Sequence, residues 1–240
     1  MQSEGKISVS TLYRVRCFRR DGSRRWAEEF KNLVVNTGLS ELMTRLVKTV
    51  PADVNWYVGL KLAGTPAAGD TMASHAGWSE DTDYGEGSRP AFTPGTVTNG
   101  VVSNTASKAT FTINADGDIF GAFFTSDNTK GGAAGTLYGV GDFTNKAITG
   151  ATQANPCSIT STAHGLVTGN RVRIQDVVGM TELNGNIYTV TSTGANTFTL
   201  DGIDSTAYGA YVSGGTWSKV RIVENGDTLD VEVTLSATAA

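Results

Sequence analysis

Hydrophobic and polar positions along the chain follow two different periods. From Ile7 to Cys17 the positions Ile7, Val9, Thr11, Tyr13, Val15 and Cys17 alternate with Ser8, Ser10, Leu12, Arg14 and Arg16, the two-residue period of a strand. Asp21-Gly22 follows, a pair suited to the positive φ of a tight turn, and Arg24 to Val35 can return as the partner strand. The first 36 residues are therefore expected to form a basic hairpin arm. The period then lengthens, because Leu39, Leu42, Met43, Leu46 and Val47 recur at i, i+3, i+4, i+7 and i+8. This predicts one helix over 37–50, with Thr37 as N-cap, Pro51 at the exit and the apolar stripe packed on a sheet.

Strand patterns resume beyond Pro51 at 56–60, 108–113, 118–125 and 135–143. The carboxyl end is the cleanest case, with Leu229, Val231, Val233 and Leu235 alternating with polar residues after an Asn225-Gly226 turn. Many short strands at such spacing predict a mainly β protein, with a β-sandwich or jelly-roll-like main domain. Between 149 and 218 the texture shifts to Thr, Asn, Gly and Ser, with short strands at 171–174, 187–192 and 196–200. The flanks 135–148 and 219–235 read as consecutive strands of the main domain. The expected organisation is a main domain of residues 1–148 and 219–240, interrupted by a small β-barrel-like module at 149–218.

Composition narrows the picture further. Charged residues make up 18% of the chain, against about 25% in an average soluble domain, and 29 of the 240 residues are glycine, which suits short strands and tight turns. Ten Lys/Arg face five Asp/Glu in residues 1–50, whereas beyond them nine face eighteen. The basic excess centres on Arg14, Arg16, Arg19, Arg20, Arg24 and Arg25, which make a candidate docking patch for an acidic protein surface; a solvated hairpin is the alternative. No apolar stretch follows the first residues and no run of about 18 apolar residues occurs, so neither a signal peptide nor a membrane span is expected. Cys17 and Cys157 lie in different expected modules, so both are expected as free, buried residues.

Two resemblances bear on function. Ala163-His164-Gly165-Leu166, Thr168-Gly169-Asn170-Arg171-Val172, Met180-Thr181-Glu182-Leu183-Asn184-Gly185, Asn196-Thr197-Phe198-Thr199-Leu200 and Ala210-Tyr211-Val212-Ser213-Gly214-Gly215 follow one another in the order and spacing of a known module. This segment resembles the all-β half-domain named after the first catalytic-cysteine half of ubiquitin-activating enzymes, a module found in many phage structural proteins. Asn170 stands where that family often has an acidic residue. The surrounding residues look like a recurrent phage virion protein, through Trp56-Tyr57-Val58-Gly59-Leu60, the run Asp70 to Trp78, Arg89-Pro90-Ala91-Phe92-Thr93-Pro94-Gly95 and Ser107 to Ile113. That likeness implies a structural role on a particle.

A search for chemistry returns little. His75 and His164 are the two histidines and lie in different modules; His75 could touch Asp70, Glu80 or Asp81, while His164 reads as a turn residue bonded to nearby backbone. Asp81, Asp83 and Glu86 form a tight acidic cluster that departs from the calcium-loop repeat. Gly131-Gly132 and Gly214-Gly215 precede neither a helix nor Lys-Ser/Thr, so they are expected as turns. Trp56, Tyr57, Trp78, Tyr84 and Phe92 could stack sugars or fill a core.

The expected function is thus that of a non-enzymatic bacteriophage virion protein, made in the host cytoplasm and needing no cofactor or metal. A capsid decoration or cement protein is the leading reading, present in many copies or as a homo-oligomer and touching capsid or other virion proteins. The alternative is a tail, neck or fibre component whose inserted module binds host surface glycans. No membrane contact is expected, and nucleic-acid binding lacks interleaved aromatics or a reading helix.

Overall fold

The amino-terminal alternation becomes paired backbone. Strand β1 (Ile7–Phe18) turns at Asp21-Gly22 into β2 (Arg24–Lys31); Gly22 holds φ at +79° and the Asp21 carboxylate accepts the Ser23 N–H at 2.8 Å. The structure is a computed structural model that describes residues 7–48 and 55–239. The chain continues through β3 (Leu33–Val34), α1 (Asn36–Val47), β4 (Trp56–Gly64), β5 (Trp78–Asp81), β6 (Ala91–Phe92) and β7 (Val101–Ser103). After β8 (Ala109–Thr112), β9 (Gly117–Ile119), β10 (Gly121–Thr125) and β11 (Leu137–Asp142) come β12 (Asn145–Ala147), β13 (Gly150–Ala151), β14 (Ser158–Thr160) and β15 (Arg171–Val178). β16 (Ile187–Ser192), β17 (Thr197–Leu200), β18 (Ser213–Val223) and β19 (Thr228–Ala239) complete it. Two compact units result: one runs up to Asp142 and resumes at Ile222, and the other is Phe143–Arg221.

The first unit is an antiparallel β-sandwich. One sheet has the order β2-β1-β19-β7, with β8 also on β19, and the other runs β3-β11-β10-β4-β5, with β6 on β4. Tyr13, Val15 and Cys17 from β1 and Leu229, Val231 and Val233 from β19 are fully buried on one side, and Leu60, Ala122 and Phe124 are buried on the other, while Phe123 and Val140 pack on the far face of that sheet with Val35, Met72, Trp78 and Leu137. β1 lies between β2 and β19, paired to β19 along its whole length from Ile7↔Ala239 to Phe18↔Thr228. The amino-terminal hairpin is therefore not an arm. Its inward face supplies core, and no strand that does so can swing free.

Helix α1 departs from expectation in its rotation and its cap. The N-cap is Val35, without a side-chain capping bond, and Thr37 lies inside the helix, where its hydroxyl donates to the Leu137 carbonyl at 2.7 Å. Leu39, Met43, Leu46 and Val47 stay exposed, at 42%, 54%, 70% and 69%. The face turned to the sheet carries Gly38, Leu42 and Arg45, roughly 100° away on the helical wheel. Gly38 explains this choice: a Cβ there would sit 2.1 Å from the Tyr138 carbonyl oxygen, so the helix touches the sheet backbone through its one residue without a side chain. The exit expected at Pro51 lies outside the described residues.

The flanks of the second unit also differ from expectation. β11 belongs to the β3-β11-β10-β4 sheet and β19 to the other, so 135–142 and 228–239 do not pair. β12 instead pairs with β18, from Asn145↔Ser218 to Ala147↔Thr216, and Lys219 N–H donates to the Thr144 carbonyl at 2.8 Å. The boundaries expected at 149 and 218 thus fall inside this unit.

The second unit closes on itself. Its strands run in the order β18-β15-β16-β17-β14, and the single stretch 145–151 bonds β18 through β12 and β14 through β13, joining the two ends of that row. A closed barrel has no unpaired edge. Its core gathers Ile159, Val172, Ile174, Leu183, Val190, Phe198, Leu200 and Trp217, all fully buried. The Trp217 indole N–H donates to the Ser161 hydroxyl at 2.9 Å, which donates to the Ala147 carbonyl at 2.7 Å, so the largest core residue leaves no polar atom unpaired.

Candidate functional site

The six arginines separate by their position on the hairpin. Arg14 and Arg16 face outward from β1, and both reach Glu232 on the neighbouring β19, at 3.0 and 3.2 Å; Arg14 also takes Glu29 at 2.6 Å. These carboxylates raise the Arg14 pKa, first through Glu29. Arg25 holds Glu224 with two parallel bonds of 2.7 and 2.6 Å and Asp227 at 2.8 Å, and the Glu224 bonds are the main cause of its raised pKa. At the tip, Arg19 donates to the Ser23 hydroxyl, and Arg20 lies over Gly226. Arg19, Arg20 and Arg24 are exposed and make no ion pair among the described residues. The positive charge available to a partner is thus concentrated in those three.

The remaining chemical candidates are tied into structure. His164 is buried; Leu166 N–H donates to its Nδ1 at 2.9 Å, which leaves the proton on Nε2 to bond the Gly194 carbonyl at 2.7 Å. His75 stacks on Trp78 with ring centroids 4.1 Å apart, and its Nδ1–H donates to the Trp78 carbonyl, while Asp70 accepts the Trp78 indole N–H at 2.8 Å. The acidic cluster does not converge: Asp81 accepts the Asp83 N–H, and Glu86 accepts the Thr112 N–H with both oxygens. No metal-holding group of His, Cys, Asp and Glu occurs among the described residues. Cys17 and Cys157 are free and buried, and burial pushes the Cys17 thiol up to about 12 and the Cys157 thiol upward. Gly131-Gly132 makes a turn that gives the Gly131 N–H to Glu80 and the Gly132 carbonyl to Arg89, and Gly214-Gly215 takes positive φ on β18.

The buried aromatic residues do not form one surface. Trp78 packs with Phe123 and Tyr84 with Phe111, whereas Trp56 and Phe92 gather with Phe124 and Tyr138 on the side of the β4–β10–β11 sheet that faces β1 and β19. There they wall a cavity of about 280 Å³. Val9, Val102 and Leu235 supply the opposite wall, Leu42 of α1 one side, and Glu41 and Arg45, paired with each other at 2.7 Å, stand beside it. Sequence reasoning missed this cavity, because its residues come from eight elements whose proximity depends on register. The strand pattern at 118–125 marked an element but not a void.

Comparison with known families places the barrel. Residues 157–221 match the family model of the ubiquitin-activating enzyme E1 FCCH domain. The match begins at Cys157, the first core residue after the β13–β14 turn, and ends at Arg221, the last residue of the second unit. It covers every strand of the barrel row from β14 to β18. Comparison with curated proteins finds no match.

Proposed function

We propose that this chain is a non-enzymatic structural protein of a bacteriophage particle, a capsid decoration or cement protein whose sandwich docks and whose barrel is the displayed module. The observation that carries this reading is the architecture: a sandwich interrupted between Asp142 and Ile222 by a separately cored barrel similar to the FCCH domain. The sequence likeness of that segment to a module of phage structural proteins, and of Trp56–Leu60 and Arg89–Gly95 to a virion protein, supplies the particle. Docking falls to Arg19, Arg20 and Arg24, the hairpin-tip arginines without a carboxylate partner among the described residues. The test is quantitative mass spectrometry of purified particles from the phage that encodes the chain. Hundreds of copies per particle support decoration, a handful places the protein in tail or neck with glycan contact as the next assay, and none overturns the reading.

A further inference from the structure

The sandwich cavity has an apolar body, Tyr138 belongs to its lining, and further buried polar groups follow along β1 behind that lining. Val9, Thr11 and Tyr13 share the inward face of β1, so Thr11 follows the wall residue Val9 at about 7 Å and Tyr13 follows Thr11 by the same step. Thr11 and Tyr13 are fully buried, and neither hydroxyl has a hydrogen-bond partner among the described residues. The Asn32 amide lies beside the Tyr13 phenol outside bonding geometry, and both of its polar atoms are likewise buried and unpaired. Tyr138 lines the cavity and is 6% exposed, and its hydroxyl bonds to no group among the described residues.

We propose that this cavity binds a small uncharged amphiphile: a bicyclic aromatic or comparable hydrocarbon body carrying one hydroxyl, with the body against Trp56, Phe92 and Phe124 and the hydroxyl on Tyr138. The size follows from volume, since about 280 Å³ is nearly twice the ~150 Å³ of an apolar cavity that takes benzene. The polar end follows from the Tyr138 hydroxyl. An apolar side chain from a partner protein would fill the walls and leave that hydroxyl unsatisfied, whereas a ligand hydroxyl both donates and accepts.

Equilibrium dialysis of the full chain against 2-naphthol and naphthalene tests this. 2-Naphthol binds saturably with one site, about tenfold more tightly than naphthalene. Tyr138→Phe narrows that ratio below about threefold while naphthalene affinity stays, a split that a merely structural tyrosine would not produce. Val102→Phe fills the cavity and removes both ligands; should it fail to fold, Leu42→Trp blocks from the helix side. Three results overturn the proposal: no saturable binding, binding that survives both blocking variants, or equal affinity for the two ligands, which would mean that water already satisfies the polar end. Binding that fades as protein concentration rises would assign the cavity to a second copy and overturn it too.

Discussion

Arg89 sits in the loop before β6 with no side-chain exposure, and what surrounds it sets the cost of removing it. Its guanidinium gives Glu80 two bonds of 2.9 and 2.7 Å, and the carbonyls of Asp127 and Gly132 one each at 2.9 and 2.8 Å, while its carbon lies 5.3 Å from the Phe123 ring centroid. Arg89→Met keeps the volume but strands the Glu80 carboxylate, 8% exposed, together with two half-buried carbonyls. Breaking one half of such a pair costs about 3–5 kcal/mol, against a total stability of about 5–15 kcal/mol for a domain. The melting temperature of the sandwich should fall by about 6–20 °C. Urea unfolding followed by far-ultraviolet circular dichroism gives the free-energy change from the midpoint shift at constant slope. The Glu80→Gln, Arg89→Met double variant should recover part of the loss, because the stranded group is then neutral. A loss below about 1 kcal/mol, or strictly additive single effects, would refute the reasoning.

Other outcomes follow from the same geometry. On α1, Leu46→Gln should change stability by less than about 0.5 kcal/mol, while Gly38→Ala should cost about 1–3 kcal/mol despite its better helix propensity, both read from urea midpoints. Burial raises the Asp81 pKa, so its contribution to stability is present in acid and is lost as pH rises through the folded value; Asp81→Asn should stabilise the protein at pH 7 and bring no gain below roughly pH 3.9, as paired unfolding curves would show. Cys17 and Cys157 should resist a thiol reagent in the native protein and react fully in denaturant. Residues 143–221 expressed alone should give a dispersed amide spectrum and one cooperative transition, whereas 149–218 should not, because that cut removes β12 and the Thr144–Lys219 bond.

Local pattern made much of the fold legible. Two-residue alternation marked β1 and β19, Asp21-Gly22 and Asn225-Gly226 marked their turns, and spaced motifs marked the barrel. What stayed hidden depends on contacts between distant residues. The helical period gave α1 but not its rotation, which is set by the approach of Gly38 to backbone 100 positions away. The chain 118–125 read as one run, yet it divides into β9 and β10 in order to serve different neighbours. Clustered arginines announced positive charge, but Glu29, Glu224, Asp227 and Glu232 neutralise half of the cluster from strands and turns that only the register brings near. The cavity is the extreme case, since no two of its aromatic wall residues are neighbours in sequence.

The bond between Thr144 and Lys219 also governs how the protein answers a pull. Tension arriving along the chain from Asp142 and Ile222 opens β12 and β18 like a zip, so their bonds carry load one after another, beginning with that 2.8 Å contact. A load shared by many bonds at once would meet far more resistance. The seam therefore gives way first, and the stretch Phe143–Arg221 becomes slack at up to about 3.5 Å per residue. Under such a pull the module would lengthen before its core let go.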